Sequence, residues 1–129
     1  MAKTWVMWAG GLGALGVTLG AFGAHGLRPL LPLQVMTIFE TAVRYHLFHT
    51  LALLGTAALM GAFPEMAGSL RRVAGLFVAG VVLFSGSLYG VSLTGIEWLG
   101  IVTPVGGLCW IAAWIYLAWS FRPGGRRGG

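Results

Sequence analysis

Apolar residues in this chain neither alternate nor fall into one-sided stripes; they run in long blocks separated by short polar breaks. The blocks read WVMWAGGLGALGVTLGAFGA, LALLGTAALMGAF, VAGLFVAGVVLFSGSLYGV and LGIVTPVGGLCWIAAWIYLAWSF. A helix needs about 20 apolar residues to cross the hydrocarbon core of a bilayer. The second block is short alone, but a helix starting near Val35 carries FETAVRYHLFHT in its first turns and reaches that length. The pattern therefore predicts helices over 5–24, 35–63, 71–91 and 99–121. Breakers fall between them: HGLRPLLP, FPEMAG and TGIEWLG. The expected fold is all-α, a single four-span integral membrane domain over residues 1–121, arranged as a four-helix bundle. The remainder, 122–129, is a Gly and Arg tail that cannot pack a core and is expected to be flexible.

Composition supports this class. Hydrophobic residues make up 57% and charged residues 9% of the chain, against roughly a quarter charged in soluble domains. Eight Lys and Arg face three acids, and in a membrane protein that excess is a topology signal; no basic patch with interleaved aromatics points to nucleic acid. Lys3, Arg71, Arg72, Arg122, Arg126 and Arg127 fall on one side of a four-span arrangement, and Arg28 and Arg44 on the other. The positive-inside rule then places both termini in the cytoplasm. The basic start at Lys3 and the small-residue stretch AFGA resemble a cleavable signal, but the length and patterned Gly of the first block favour a permanent helix. The single Cys109 permits no intramolecular disulfide and belongs to no CxxC motif, so it reads as a small packing residue.

Glycines suggest how the helices pack. Gly13, Gly16, Gly20 and Gly23 are spaced three, four and three apart, which places them on one narrow helical face. Gly75, Gly86 and Gly90 mark a similar side of the third span. Such faces let backbones approach closely where lipid supplies no hydrophobic drive. They serve equally for internal packing or for a homo-oligomer. Trp5, Trp8, Trp98 and Trp119 lie near span ends, where aromatic rings anchor at headgroup level.

The ionisable chemistry gathers in FETAVRYHLFHT, residues 39–50. On a helix, Glu40 and Arg44 stand at i and i+4 and form a candidate ion pair. Tyr45, His46 and His49 occupy the other side. Topology brings His25, and with it Glu97, to the same end of the bundle. His25, Tyr45, His46 and His49 are thus the candidate ligands or proton relay, suited to a divalent metal, a haem, a quinone or proton transfer. The competing reading is that the histidines satisfy backbone carbonyls. The HxxH spacing lacks the HExxH arrangement that would indicate zinc, so the sequence assigns no metal and no cofactor.

The motifs GAFGAHGL (20–27), FETAVRYHLFHTLALL (39–54), FSGSLY (84–89) and TPVGG (103–107), in that order, resemble the small uncharacterised bacterial membrane proteins of the UPF0382 family, also called domain-of-unknown-function family 423. The resemblance covers about residues 5–121 and leaves out the tail. It implies a four-span protein of the bacterial inner membrane and carries over no catalytic residue, cofactor or substrate.

No Walker-type phosphate-binding loop or GxSxG elbow occurs, and no water-soluble domain large enough for substrate chemistry is expected. The expectation is a non-enzymatic membrane protein acting through lipid, another membrane protein or a second copy of itself. The alternative is a haem-, metal- or quinone-binding or proton-handling subunit built on the His cluster. A channel is less well supported, since the middle of every block is apolar or Gly.

Overall fold

The structure, a computed structural model, describes residues 1–124; residues 125–129, most of the expected flexible tail, lie outside them. Helix α1 (Ala2–Phe22) runs on through a π-helical segment, Gly23–Leu27. Helix α2 (Leu33–Ala62) follows after a short turn. A 3-10 turn at Pro64–Met66 leads into α3 (Ala67–Gly80), a second π segment at Val81–Ser85 and α4 (Gly86–Thr94), all in one rod. A 3-10 turn at Glu97–Ile101 precedes α5 (Thr103–Ser120). The described residues contain no strand, and the all-α expectation holds.

Three of the four rods are long and apolar enough to cross a membrane: Ala2–Leu27, Pro64–Thr94 and Glu97–Ser120. The remaining rod, α2, has 30 residues and so ample length, but Glu40, Arg44, His46 and His49 lower its apolar character. Its position explains why it tolerates them. Helix α2 packs on α1, α3 and α4, and it buries Phe39, His46, His49, Thr50 and Thr56 among those neighbours.

The ends of the rods follow from local chemistry. Gly95 takes the left-handed conformation, φ +73°, and its N–H closes α4 on the Val91 carbonyl at 2.9 Å; a residue without Cβ adopts that geometry at little cost. Pro104 occupies the first turn of α5, where a missing N–H is harmless. The first rod reaches Leu27 rather than Ala24, because GAHGL stays helical with the looser π spacing. The third begins at Pro64, ahead of the expected residue 71, because FPEMAG forms a 3-10 entry instead of a loop.

Consecutive rods run antiparallel. Gly13 faces Thr50 and Gly23 faces Phe39 across α1 and α2; His49 meets Phe77 and Tyr45 meets Phe84 across α2 and the third rod; Phe77 contacts Trp114 and Phe84 contacts Trp110 across to α5. The core is built on Leu53, Leu70, Val73, Phe77, Trp110 and Ala113. The outward side of α5 is equally apolar: Val105, Leu108, Ile111, Ile115 and Trp119 are all exposed. A helix apolar on both sides suits a bilayer, not water.

Glycine contacts fix the spacing of the rods. A Cβ on Gly16 would come within 2.6 Å of the Leu47 side chain, and one on Gly23 within 2.6 Å of the Phe39 ring. A Cβ on Gly20 would lie 3.3 Å from Val43, a looser approach, and one on Gly13 would only touch Thr50 at 3.6 Å. The third rod departs from expectation. Gly75 has no neighbour within 4 Å, and Gly86 meets only Val81 of its own rod, so neither mediates contact between helices. Gly90 faces Leu99 of the following turn. The close approaches are made instead by Gly80, which lies under the Trp110 indole, and by Gly106, where a Cβ would fall 2.8 Å from backbone atoms of Leu83 and Phe84. The sequence expectation missed both because their partners lie on a different rod.

Candidate functional site

The second rod carries a polar layer to the middle of the bundle. His46 is buried at 1% exposure, and both its ring nitrogens are occupied. Nε2 lies 2.8 Å from the carbonyl oxygen of Leu12 on α1, and Nδ1 lies 2.8 Å from the Tyr89 hydroxyl on α4. A carbonyl only accepts, so Nε2 carries the proton and donates; the neutral ring then accepts from Tyr89 through Nδ1. Gly16 makes this reach possible. A Cβ there would sit 3.2 Å from His46 Nε2, and the bare backbone one turn beyond Leu12 leaves the Leu12 carbonyl open to the imidazole. The glycine face of α1 therefore also creates a hydrogen-bonding position.

His49 uses the opposite tautomer. Its Nδ1 donates to the Tyr45 carbonyl at 2.8 Å, one turn back on the same helix. Its Nε2 accepts from Trp114 Nε1 at 3.2 Å; an indole N–H only donates, which requires a free lone pair on that nitrogen. The ring also stacks on Trp110, with centroids 3.8 Å apart and planes 6° from parallel. Tyr45 extends the aromatic group: its ring meets Phe84 at 5.2 Å and Trp110 at 6.0 Å.

Further polar contacts tie the same layer together. Ser85, on the π segment of the third rod, donates to the Ala42 carbonyl at 2.7 Å from a fully buried position. Trp110 Nε1 donates to the Phe77 carbonyl at 3.1 Å, and Ser87 bonds Thr103 on α5. No buried side-chain nitrogen or oxygen among the described residues lacks a partner. A group buried in an apolar bundle is costly unless paired, and this network meets that demand across all four rods.

The structure separates other members of the expected cluster. His25 lies exposed on the first π segment and makes no hydrogen bond with His46 or His49. Glu97 is exposed at the head of its 3-10 turn and does not join the layer. Among the described residues no three His, Cys, Asp or Glu side chains converge as metal ligands would. The expected Glu40–Arg44 pair is replaced: Glu40 bonds Arg28, from the turn after α1, and Arg44 stays exposed. An arginine from a neighbouring turn reaches the carboxylate, whereas Arg44 makes no ion pair among the described residues. Sequence reasoning singled out His46 and His49 but missed Leu12, Trp110 and Trp114 as their partners. Only the third motif, FSGSLY, signalled Tyr89.

The comparisons with known proteins agree on one family. The family described as "Protein of unknown function (DUF423)" matches residues 19–107. The UPF0382 membrane protein YwdK of Bacillus subtilis is 44% identical over 82 residues, covering 64% of this chain and 66% of the relative. The UPF0382 membrane protein of Staphylococcus haemolyticus is 43% identical over 82 residues, covering 64% of this chain and 65% of the relative. The UPF0382 inner membrane protein YgdD of Escherichia coli is 40% identical over 82 residues, covering 58% of this chain and 56% of the relative. The match thus spans just under two thirds of the Bacillus and Staphylococcus relatives and little more than half of the Escherichia one. No solved structure matches. The matched residues contain both π segments, His46, His49, Tyr89 and the Gly106 contact, and the chain belongs to the DUF423, or UPF0382, family of membrane proteins.

Proposed function

We propose that the chain is a non-enzymatic protein of the bacterial inner membrane that crosses the bilayer four times with both termini in the cytoplasm, and that it works by lateral interaction with another membrane protein or a second copy of itself. The observation that carries this reading is the commitment of His46 and His49. Each ring nitrogen already bonds a partner inside the bundle, so neither ring offers a lone pair to a metal or haem iron, which needs one. The layer holds helices together and does not wait for a ligand.

Topology is supported by the charges. The connections near Lys3, Arg71, Arg72 and Arg122 share one end of the bundle, while Arg28 and Arg44 lie toward the other. The inner-membrane address is supported by the printed name of the Escherichia coli relative. The interaction role is supported by α1, which packs on α2 along its glycine face and leaves Met7, Trp8 and Leu15 exposed opposite. Gly10 and Gly11 on that outer side have no neighbour within 4 Å, so another helix can approach the backbone there.

Purification of the whole chain in mild detergent tests the reading directly. The expected preparation has no Soret band, no stoichiometric metal and no tightly bound quinone. Any one of these would overturn it. Topology is read by replacing Cys109 with Ser and labelling Arg28→Cys or Arg71→Cys with an impermeant maleimide in intact cells; only the first is expected to react.

A further inference from the structure

The end of the bundle where α3 begins and α5 ends holds a cavity of about 360 Å³, lined by Met66, Ser69, Tyr116, Trp119, Ser120 and Arg122. That volume lies within the range of small-molecule sites. Three hydroxyls stand in its wall. Arg72 reaches it from α3, donating through Nη1 to the Tyr116 hydroxyl at 3.0 Å. Arg122 lies over the Trp119 indole, 4.0 Å from the ring centroid, and donates to the Trp119 carbonyl at 2.7 Å.

Among the described residues neither guanidinium has a carboxylate partner. Among the described residues the sole ion pair is Arg28 with Glu40, at the opposite end of the bundle. Glu65, in the 3-10 turn beside Met66, is exposed and pairs with neither arginine. A guanidinium has five N–H donors in a rigid fork, and the contacts above use one from each residue. Two permanent positive charges with spare donors thus stand beside hydroxyls and an apolar wall, without a counter-anion among the described residues.

We infer that this cavity binds a phosphate group, carried by an anionic phospholipid or by a small soluble phosphate. The guanidinium fork matches phosphate oxygens, and Met66 with Trp119 offers an apolar surface for the carbon skeleton; the Ser120 hydroxyl is already donated to the Tyr116 carbonyl at 2.8 Å, so the spare donors are those of the two guanidinium groups. The lipid source rests on the membrane reading proposed above; the soluble source does not.

The test uses the full chain in mild detergent. Native mass spectrometry compares retention of phosphatidylglycerol with that of phosphatidylcholine, and thermal unfolding compares inorganic phosphate with chloride at equal ionic strength. Selective retention of phosphatidylglycerol identifies the lipid source, and stabilisation by phosphate alone identifies the soluble one. In either case Arg72→Gln combined with Arg122→Gln is expected to weaken binding about tenfold or more, as loss of a charge-assisted contact does. The Lys versions of both substitutions should lose less, and Arg28→Gln at the far end should lose nothing. Circular dichroism confirms that each variant keeps its helices. Absence of selectivity with both probes, or binding that the double Gln variant leaves unchanged, overturns the site. Flotation of the chain with liposomes reports insertion separately, so a chain that inserts but binds neither probe defeats the phosphate site and leaves the membrane reading standing.

Discussion

The imidazole of His49 lies flat against the indole of Trp110, 3.8 Å between centroids, while its Nε2 accepts a hydrogen bond from Trp114 one turn further along α5. One side chain of α2 thereby fixes both the depth and the rotation of α5. The stack sets the separation of the helices, and the hydrogen bond sets which face α5 presents. Trp110 also packs on Gly80, whose missing side chain lets the third rod approach the indole closely.

His49→Ala removes the stack and leaves the Trp114 N–H without an acceptor. An aromatic stack contributes about 0.5 to 1.5 kcal/mol, and an unpaired donor costs about 1 to 3 kcal/mol. The variant is therefore expected to lose about 1.5 to 4.5 kcal/mol of stability. His49→Phe keeps a flat ring over Trp110 and loses only the two hydrogen bonds, so it should fall between the wild type and His49→Ala. Unfolding in mixed micelles followed by tryptophan fluorescence gives both values; equal losses would mean that the stack contributes nothing.

His46 and Tyr89 should be energetically coupled across α2 and α4. Hydrogen bonds between membrane helices average about 0.6 kcal/mol and reach about 1.7 kcal/mol. A double-mutant cycle of His46→Ala and Tyr89→Phe is expected to return a coupling in that range. Tyr89→Phe alone should leave the bundle folded, because the His46 bond to the Leu12 carbonyl survives. Strict additivity would contradict the hydrogen bond.

Gly75 and Gly106 look alike in the sequence and should respond oppositely to alanine. Nothing stands within 4 Å of a Cβ at Gly75, so Gly75→Ala gains helix propensity, about 0.5 to 1 kcal/mol of stabilisation. At Gly106 the added methyl meets backbone of the Leu83 and Phe84 π segment, which cannot swing aside as a flexible side chain can. Gly106→Ala should separate α5 from the third rod, with a markedly lower yield of folded protein. Size-exclusion recovery and melting temperature of the two variants decide the matter.

These contrasts show what sequence alone could reveal. The helices were legible because a bilayer demands length and apolarity, which one strand of text records. The face of Gly13, Gly16, Gly20 and Gly23 was legible for the same reason, since its regular spacing lies within one helix. Gly80 and Gly106 were not, because each is defined by a partner on another rod: the Trp110 ring for one and a π-segment backbone for the other. The fate of His25 likewise depended on the fold of GAHGL, a π segment in which the side chain is exposed and makes no bond to His46. Composition could place His46 and His49 at one level of the bundle. It could not reveal that Leu12, Tyr89, Tyr45 and Trp114 already occupy all four of their ring nitrogens.

The Glu40 pairing yields the sharpest separation between helix-local reasoning and the folded arrangement. An i, i+4 pair would couple Glu40 to Arg44, whereas the structure couples it to Arg28 from the turn after α1. The two side chains of the observed pair are 59% and 42% exposed, so solvent and headgroups screen them and the pair contributes about 1 kcal/mol or less. A cycle of Arg28→Gln with Glu40→Gln is expected to show a small coupling at low salt that shrinks toward zero as ionic strength rises and the Debye length shortens. The parallel cycle with Arg44→Gln should show none at any salt. Coupling to Arg44 with none to Arg28 would mean that Glu40 turns along its own helix, and the turn after α1 would then lose its one charged tether to α2.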